Sequence, residues 1–404
     1  MRRVVVTGIG IVSSIGNNLE EVRSSLHNCT PGITKAAGYE DFGFKSQVYG
    51  CPNIELEQNI DRRKLRILAD GSDWAYIAAE QAIADSNLEN NEISHEKTGL
   101  IVGTGGPSTK AIIKAADQTR DRGAKHVGPF AVPKAMCSMA SAIISTLLGI
   151  NCVNFSISAA CATSNNCIGS AYELIKLGSQ DVMIAGGAEE LDWGLSVLFD
   201  AMGAMSSNFN DNPSQASRAY DINRDGFVIA GGAGILILEE YDRAINRGAK
   251  IYAELSGYGS TSDGSDMVLL SGEGAERAMK NAMKGLETKI DYINPHATST
   301  PQGDIIEAKA MKAVFGDKMP IISATKSLTG HSLGAAGAQE AIYSLIMLNN
   351  NFVCKSANID SLDPNFDDLP IALERHDNIE LNTVMSNAFG FGGTNACLVF
   401  RKVN

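Results

Sequence analysis

One cysteine in the middle of the chain has the surroundings of a nucleophile. Cys161 lies in a run of small residues between a predicted buried strand at 153–157 and a predicted amphipathic helix at 168–175. Unpaired amides and the positive end of a helix dipole lower the pKa of a thiol and leave donors for an oxyanion. Most cysteines are inert core residues. Because small neighbours leave this sulfur accessible, we predict that Cys161 is a nucleophile.

Two histidines far downstream are the natural partners of this thiol. His296 follows a predicted strand, and His331 lies in a loop of small residues after a second one. Either alone is more often structural, but neutral imidazoles can donate hydrogen bonds to a developing oxyanion or enolate. Lys326 and Glu340 flank His331, where they either fix its tautomer and orientation or form an ordinary salt bridge. We predict one site that contains Cys161 and both histidines.

A competing nucleophile lies beside His331. Residues 330–334 match G-x-S-x-G, the nucleophile elbow of serine acyltransferases and hydrolases, with Ser332 at its centre. That chemistry needs a base histidine, and only His376 lies downstream, in a polar setting. The glycines are better explained by a close approach of His331 to a neighbouring backbone. We therefore rank Ser332 well below Cys161.

Composition restricts the class of protein. The 404 residues carry a net charge of −12, with 44% hydrophobic and 20% charged residues, which is typical of a globular protein and disfavours nucleic acid or an anionic membrane as partner. The eight cysteines form no C-x-x-C pair, which predicts reduced thiols and a cytoplasmic location. Glycines and early glutamates argue against a signal peptide at the N-terminus. Polar residues interrupt the long uncharged run at 135–172, so we expect no membrane-spanning segment.

Strand-like and helical patterns alternate along the whole chain, which predicts an α/β fold with helices on both faces of a sheet. The second half repeats the first in outline, because residues 320–348 repeat the strand, turn and helix around Cys161, and 389–400 parallel 227–238. We predict two duplicated halves, 1–247 with the nucleophile and 248–404 with both histidines and the glycine-rich loop 389–395. A site between the halves follows naturally.

Four segments together resemble one family, the β-ketoacyl-acyl-carrier-protein synthases. They are SAACATS (158–164), NPHATSTP (294–301), KSLTGHSLGAAG (326–337) and NAFGFGGTN (387–395). Two further segments, ASRAYD (216–221) and RDGFVIAGG (224–232), are similar to the type I enzymes of bacterial fatty-acid elongation. The chain departs from the family at Ala297, where a glycine is usual, and a methyl group there restricts the backbone beside a catalytic residue.

The resemblance implies a thiolase-like five-layered αβαβα fold, a homodimer and an acyltransferase. Cys161 would receive an acyl chain from acyl carrier protein, and the amides of Cys161 and Phe391 would form the oxyanion hole. His296 and His331 would stabilise the enolate formed as malonyl carrier loses carbon dioxide, with Lys326 and Glu340 supporting His331. The enolate would attack the Cys161 thioester, giving a 3-oxoacyl chain two carbons longer.

The resemblance also implies several binding contacts. Thr298 and Thr300 would contact the phosphopantetheine arm that the carrier supplies, and we expect no tightly bound cofactor and no metal. The acyl pocket would be lined by Met136, Phe199, Met202 and Phe227, which are equally plausible as core residues. Basic residues would dock the acidic carrier, although such runs are usually solvated helix faces: Arg62, Arg63, Arg66, Arg122 and Lys125.

Three alternatives stay open at this point. In the first, the chain would be a type II or polyketide ketosynthase, or a thiolase, which would need a second cysteine that only Cys397 supplies. In the second, it would be a non-catalytic partner subunit, although such subunits lack the nucleophile. In the third, it would be a serine acyltransferase that acts through Ser332.

Overall fold

The computed structural model describes residues 1–403 of the chain. Its strands, in chain order, are β1 (Val4–Val12), β2 (Ile33–Lys35), β3 (Val48–Gly50), β4 (Thr98–Gly103), β5 (Asn154–Phe155), β6 (Val182–Glu189), β7 (Gly232–Glu240), β8 (Ala253–Ser262), β9 (Tyr292–Asn294), β10 (Ile321–Ile322), β11 (Phe352–Val353), β12 (His376–Asp377), β13 (Thr383–Gly390) and β14 (Thr394–Arg401).

Helices occupy most of the connections between these strands. They are α1 (Leu19–Asn28), α2 (Leu56–Asn59), α3 (Arg62–Leu65), α4 (Ser72–Ser86), α5 (Asn90–Ile93), α6 (Thr109–Arg122), α7 (Ala131–Ala135), α8 (Met139–Leu148), α9 (Thr163–Lys176), α10 (Trp193–Met202), α11 (Tyr241–Asn246), α12 (Glu273–Ala282), α13 (Gly303–Phe315), α14 (Lys326–Thr329) and α15 (Ala336–Asn350).

The strand order repeats between the two halves of the chain. Ten strands form one sheet in the order β10-β9-β13-β14-β8-β1-β7-β6-β4-β5. The two halves meet where β1 pairs with β8. From this junction outwards, the N-terminal half has the order β1-β7-β6-β4-β5 and the C-terminal half has the order β8-β14-β13-β9-β10. In each half the first two pairings are antiparallel and the last two are parallel. This repeat confirms the two duplicated halves expected from the sequence. The boundary between 247 and 248, which lies between α11 and β8, stays a prediction.

The helices complete a five-layered arrangement. The central layer consists of α9 and α15, which pack on strands of both halves and on each other. The helix α15 is buried from Ala336 to Leu348, so over these residues it has no solvent-exposed face, as a helix packed between the strands of the two halves requires. Helices α4 and α8 cover the outer face of the N-terminal half, and α12 and α13 cover that of the C-terminal half. The α/β class and the αβαβα layering expected from the sequence are confirmed.

The strand before the cysteine differs from its prediction. Only Asn154 and Phe155 form a strand, and both are exposed rather than buried. The reason is position: β5 is the outermost strand of the sheet, so one of its sides has no neighbouring strand in the chain. Elsewhere the expected elements are present, with ends shifted by a few residues. None of the helices within residues 1–403 has the length and apolar character needed to cross a bilayer.

Candidate active site

The predicted nucleophile lies at a tight turn between β5 and α9. Ala160, immediately before Cys161, has a φ of 47°, a left-handed conformation that non-glycine residues rarely adopt. Two hydrogen bonds hold the turn: Thr163 Oγ1 accepts from the amide of Ala159 at 2.8 Å, and Thr394 Oγ1 donates to the carbonyl of Ala159 at 3.0 Å. The second bond ties the cysteine turn of one half to the glycine-rich loop of the other.

His331 is the residue in direct contact with the thiol. Its Nε2 lies 3.0 Å from Cys161 Sγ. The backbone of His331 is held on both sides by residues of the other half, because its amide donates to the carbonyl of Val228 at 2.7 Å and its carbonyl accepts from the amide of Ala230 at 3.0 Å. The position of this imidazole is therefore set by the junction between the two halves.

His296 completes the group, in the loop that follows β9. Its ring centroid lies 5.1 Å from that of His331, with the two rings nearly perpendicular. The buried carboxylate of Glu307, on α13, accepts hydrogen bonds from the amides of His296 and Ala297 at 2.8 and 2.7 Å. Asn387 on β13 donates to the same carboxylate at 3.4 Å. A carboxylate that the sequence does not single out thus fixes the backbone of this loop.

All three side chains open into one cavity of about 390 Å³. Several residues predicted for substrate binding line the same cavity: Phe199, Met202, Phe227, Thr298, Thr300 and Phe391. Its wall is predominantly apolar, and the thiol and both imidazoles are among its polar groups. This arrangement suits a long apolar chain whose reactive end carries a carbonyl group.

The thiol differs electrostatically from its prediction. Burial raises the pKa of Cys161 to about 12, although the Lys326 ammonium and the amides of Phe391 and Cys161 act in the opposite direction. The expectation that the helix N-terminus lowers this pKa is wrong, because the cost of burying a charged sulfur exceeds the stabilisation by the Lys326 ammonium and the two amides. Any reaction of the thiolate would therefore need a neighbouring group that accepts the thiol proton.

Both histidines are able to act as neutral bases. Burial lowers the pKa of His296 and of His331 well below the usual value, and the Lys326 ammonium lowers both further. The Nδ1 atoms of both rings are buried and have no hydrogen-bond partner among the described residues. No hydrogen bond at Nδ1 therefore fixes the tautomer of either ring, and Nε2 can either accept or donate a proton.

Lys326 and Glu340 form a buried ion pair with each other, at 2.6 Å between Nζ and Oε1. Neither donates to nor accepts from the His331 ring, so the expected direct support of that imidazole is absent here. Burial raises the pKa of Glu340 to about 7, against the opposing effect of Lys326. The ammonium acts on the site through its electric field, which disfavours a proton on either imidazole.

Two backbone amides lie close to the cysteine sulfur. The amides of Cys161 and Phe391 both approach Cys161 Sγ closely enough to lower its pKa. The approach depends on Gly390, because a Cβ at this position would lie 2.9 Å from the amide nitrogen of Cys161 and 3.0 Å from the carbonyl oxygen of Ala159. These two amides are the groups that the resemblance assigned to the oxyanion, and that role stays a prediction.

The predicted pantetheine and acyl contacts are mostly, but not all, in the cavity. Thr298 and Thr300 lie at its wall with their hydroxyls 3.2 Å apart, and Phe199 packs edge-on against Phe227 at 5.4 Å between centroids. Met136 does not line the cavity; it packs against the hydrophobic cluster beneath α4 and α8. A single chain therefore does not bring Met136 to the site.

The predicted docking residues lie on the surface away from the cavity wall. Arg62, Arg63 and Arg66 are exposed in and beside α3, and none of them forms a salt bridge within residues 1–403. Arg122, at the end of α6, pairs with the adjacent Asp121 at 2.9 Å, and Lys125 is exposed in the following turn. Unpaired arginines on an acidic protein are available to an acidic partner.

The competing residues are placed less favourably. Ser332 is buried, and its hydroxyl donates to Gln339 Oε1 at 2.6 Å rather than lining the cavity. Cys397 is buried within β14 and is not part of the cavity wall, and His376 is exposed in β12. These positions disfavour a serine nucleophile and a thiolase-type second cysteine.

Some residues of the site carry no sequence signal. Glu307 is one, and Glu189 is another: its Oε2 accepts from the amides of Gly105 and Gly334 at 2.8 and 2.9 Å, tying the loop after His331 to the loop after β4. The cavity wall also includes the apolar segment 268–270. Spacing along the chain does not reveal such contacts, since each depends on how distant loops pack.

Comparison with known proteins agrees with this geometry. Residues 1–244 match the model of the Beta-ketoacyl synthase N-terminal domain, and residues 252–360 match that of the C-terminal domain. The chain is 53% identical to 3-oxoacyl-[acyl-carrier-protein] synthase 1 of Haemophilus influenzae and 54% identical to that of Escherichia coli, over 100% of both chains in each case.

Solved structures are similar over the same extent. A beta-ketoacyl synthase from Burkholderia phymatum has a TM-score of 0.94 at 33% identity, with 100% of both chains covered. A type II polyketide ketosynthase, solved in complex with its acyl-carrier protein, has a TM-score of 0.90 at 32% identity, also over 100% of both chains. Matched to both domain models in order, and more than half identical to relatives along its whole length, the chain belongs to the beta-ketoacyl synthase family.

Proposed function

We propose that this protein is a 3-oxoacyl-[acyl-carrier-protein] synthase of fatty-acid elongation. The observation that carries the proposal is the contact between Cys161 Sγ and His331 Nε2 at 3.0 Å, with His296 beside it in the wall of a predominantly apolar cavity. A thiol, two neutral imidazoles and two free amides are what acyl transfer followed by carbanion formation requires. Relatives of that name are 53–54% identical over the full length.

The first half-reaction loads the enzyme. His331 Nε2 takes the proton of Cys161, and the thiolate attacks the carbonyl carbon of the acyl thioester. The amides of Cys161 and Phe391 hold the oxyanion of the tetrahedral intermediate. The carrier thiol leaves with a proton, and the acyl chain stays on Cys161 as a thioester, its tail among Phe199, Met202 and Phe227.

The second half-reaction makes the carbon–carbon bond. Malonyl carrier binds with its thioester carbonyl between His296 and His331. Both neutral rings now carry their proton at Nε2, His331 after a change of tautomer, and these N–H groups donate to the oxygen as carbon dioxide leaves. The electron pair of the broken carbon–carbon bond forms an enolate, which attacks the Cys161 thioester carbonyl. The cysteine leaves as the thiolate and takes a proton from solvent, and the product is a 3-oxoacyl carrier two carbons longer.

The partner of this reaction is an acidic acyl carrier protein, which supplies both substrates on its phosphopantetheine arm. Three unpaired arginines in and beside α3 support docking of such a partner on a protein of net charge −12. A structural relative was solved with its acyl-carrier protein. The proposed reaction needs no other cofactor. The described cysteines are all free thiols, which supports a location in the cytoplasm.

A homodimer is the proposed assembly. The edge strand β5 is unpaired on one side and exposes Phe155, and apolar side chains are also exposed in and beside α6 and α7: Ile112, Phe130 and Val132. Helix α6 packs on α7, α7 on α8 and α8 on β5, so these elements are neighbours and offer apolar surface to a second copy of the chain. Light scattering should give twice the mass of the chain, and Val132→Glu with Phe155→Glu should give a monomer. Leu177→Glu, at an exposed position elsewhere, is the control.

The test of function is mass spectrometry of the intact protein after incubation with an acyl carrier thioester. We expect one acyl group on Cys161, which is discharged as a 3-oxoacyl product when malonyl carrier is added. Cys161→Ala should take up no acyl group, and Ser332→Ala should behave as the parent. Acylation of Ser332, or discharge by water without chain extension, would replace the proposal with a transferase or hydrolase.

A further inference from the structure

The side chains of the proposed site also form a set of metal ligands. Cys161 Sγ and one ring nitrogen from each of His296 and His331 all lie within 4.8 Å of one another. Among residues 1–403 they are the one group of three or more cysteine, histidine and acidic side chains arranged in this way. Both histidines are buried, and the thiol faces the cavity.

The composition of this set matches the preferences of zinc. One thiolate and two imidazoles are donors that Zn²⁺ favours, and open zinc sites use three protein ligands with a fourth position for water. Tetrahedral bonds of about 2.0–2.3 Å place the ligand atoms about 3.3–3.8 Å apart. The sulfur and His331 Nε2, at 3.0 Å, are already near this spacing. The three ligand atoms therefore reach tetrahedral positions around one ion after shifts on the order of 1 Å.

The surroundings also leave room for such an ion. The cavity of about 390 Å³ opens directly onto the three side chains, so a water molecule has space for the fourth position. The nearest cation, the Lys326 ammonium, is paired with Glu340 at 2.6 Å, and the buried carboxylate of Glu307 lies behind the His296 backbone. The ammonium disfavours positive charge at both imidazoles, and these two acidic groups offset part of that effect on a dication.

We propose that Cys161, His296 and His331 bind a zinc ion, and that the metal and the acyl chain exclude each other. The inference rests on the proposed function for its consequence, since inhibition requires Cys161 to be the acyl acceptor. Binding forms the Zn–S bond with release of the thiol proton to solvent. The sulfur lone pair that would attack an acyl thioester is then held by the metal. The ion is an inhibitor and takes no part in the condensation.

Cobalt chloride is the spectroscopic probe for the site. Co²⁺ bound by a thiolate in a four-coordinate site gives a sulfur-to-metal charge-transfer band and intense visible bands. We expect one equivalent of Co²⁺ to produce both, and ZnCl₂ to bleach them. Cys161→Ser should lose the charge-transfer band, and His296→Ala and His331→Ala should each weaken binding at least tenfold. Cys137→Ser, at an exposed cysteine elsewhere, is the matched control and should bind as the parent.

A second measurement avoids variants altogether. Zinc chloride should protect Cys161 of the unaltered protein from iodoacetamide, and the chelator EDTA should restore its alkylation, while Cys137 reacts equally in both conditions. Absence of cobalt bands up to millimolar metal would overturn the inference, as would a charge-transfer band that survives in Cys161→Ser. Alkylation of Cys161 that zinc does not slow would overturn it as well.

The kinetic arm separates this inference from the proposed function. Zinc should inhibit chain elongation competitively with acyl carrier thioester, and protein already acylated on Cys161 should bind no Co²⁺. If the cobalt bands appear but no 3-oxoacyl product forms under any condition, the proposed function fails and the metal site stands. If elongation proceeds normally and no cobalt bands appear, the metal inference alone fails.

Discussion

His331 Nε2 lies 3.0 Å from Cys161 Sγ although 170 residues separate the two along the chain. Each comes from a different half of the duplicated fold, and the ring is held by backbone bonds to Val228 and Ala230. The thiol has a pKa raised to about 12 by burial, and the imidazole has a pKa lowered by burial. The pair is thus a protonated thiol beside a neutral imidazole.

Loss of that base should slow every reaction of the thiol. His331→Ala is expected to reduce the rate of alkylation of Cys161 by iodoacetamide roughly a hundredfold, because a buried thiol of high pKa then has no proton acceptor in contact. Mass spectrometry of the Cys161 peptide measures the rate, with the exposed Cys137 as internal standard. His376→Ala, in the exposed strand β12, should have no effect. Equal alkylation rates in both variants would show that His331 does not activate the thiol.

Removal of the buried ammonium should shift the pH profile of the site. Lys326 lowers the pKa of both histidines, so Lys326→Ala raises both, and protonation then inactivates the site at a higher pH. The acidic limb of the pH–rate profile should move to higher pH, and Lys326→Arg should move it back. Lys312→Ala, which breaks a surface pair with Asp368, is the control. An acidic limb that stays in place would contradict this role.

The same variant should lose stability. Without Lys326 the carboxyl group of Glu340 is buried without its partner, which costs roughly 3–5 kcal/mol in the free energy of unfolding. Chemical denaturation measures this loss. The double variant Lys326→Met with Glu340→Leu should recover most of the stability but none of the activity, whereas recovery of both would assign the pair a purely structural role.

Ala297 is under backbone strain beside the catalytic loop. Its φ of 24° lies in a region that favours glycine, and the amide is held there by Glu307. Ala297→Gly should therefore raise the free energy of unfolding by about 1 kcal/mol, with the Glu307 bonds retained. Ala310→Gly, inside α13, should lower it by about 1 kcal/mol. Loss of stability in Ala297→Gly would show that no strain is stored at this position.

Glu189 should make stability depend on pH. Burial raises its pKa from 4.5 to about 8, although the amides of Gly334 and Gly105 oppose the shift. Between these values the folded state holds a proton that the unfolded state has lost, so stability falls as pH rises through this window. Glu189→Gln keeps an acceptor for both amides and removes the proton equilibrium. In urea denaturation, the free energy of unfolding of the variant should rise relative to that of the parent protein between about pH 5 and pH 9. A difference that stays constant over this range would contradict the prediction.

The arginines around α3 should matter only for substrates on the carrier. Reversal of Arg62, Arg63 and Arg66 to Glu is expected to raise KM for acyl carrier about tenfold, with acyl-pantetheine unaffected, because the docking charges do not touch the cavity. The effect should shrink with added salt. Reversal of three exposed arginines elsewhere, Arg2, Arg23 and Arg277, is the charge-matched control. Equal losses for both substrates would remove the docking surface.

Local sequence patterns were sufficient to predict the fold class and the candidate residues of the site. The alternation of strand-like and helical patterns predicts the α/β class, and the small residues around Cys161 predict the turn between a strand and a helix. The motifs around His296 and His331 identify the other two side chains of the site without reference to their positions. These features are readable because each depends on neighbours within a few residues.

Other properties depend on contacts between distant segments. The thiol pKa rises instead of falling because burial, which only packing determines, outweighs the helix dipole. The strand at 153–157 shrinks to two exposed residues because it is the sheet edge. Lys326 pairs with Glu340 instead of the imidazole, and Glu307 and Glu189 fix the backbone of the histidine loops. The sequence by itself determined which residues are candidates for the chemistry; the tertiary structure decided their charge states and partners, since electrostatic energies depend on distance and burial and not on position along the chain.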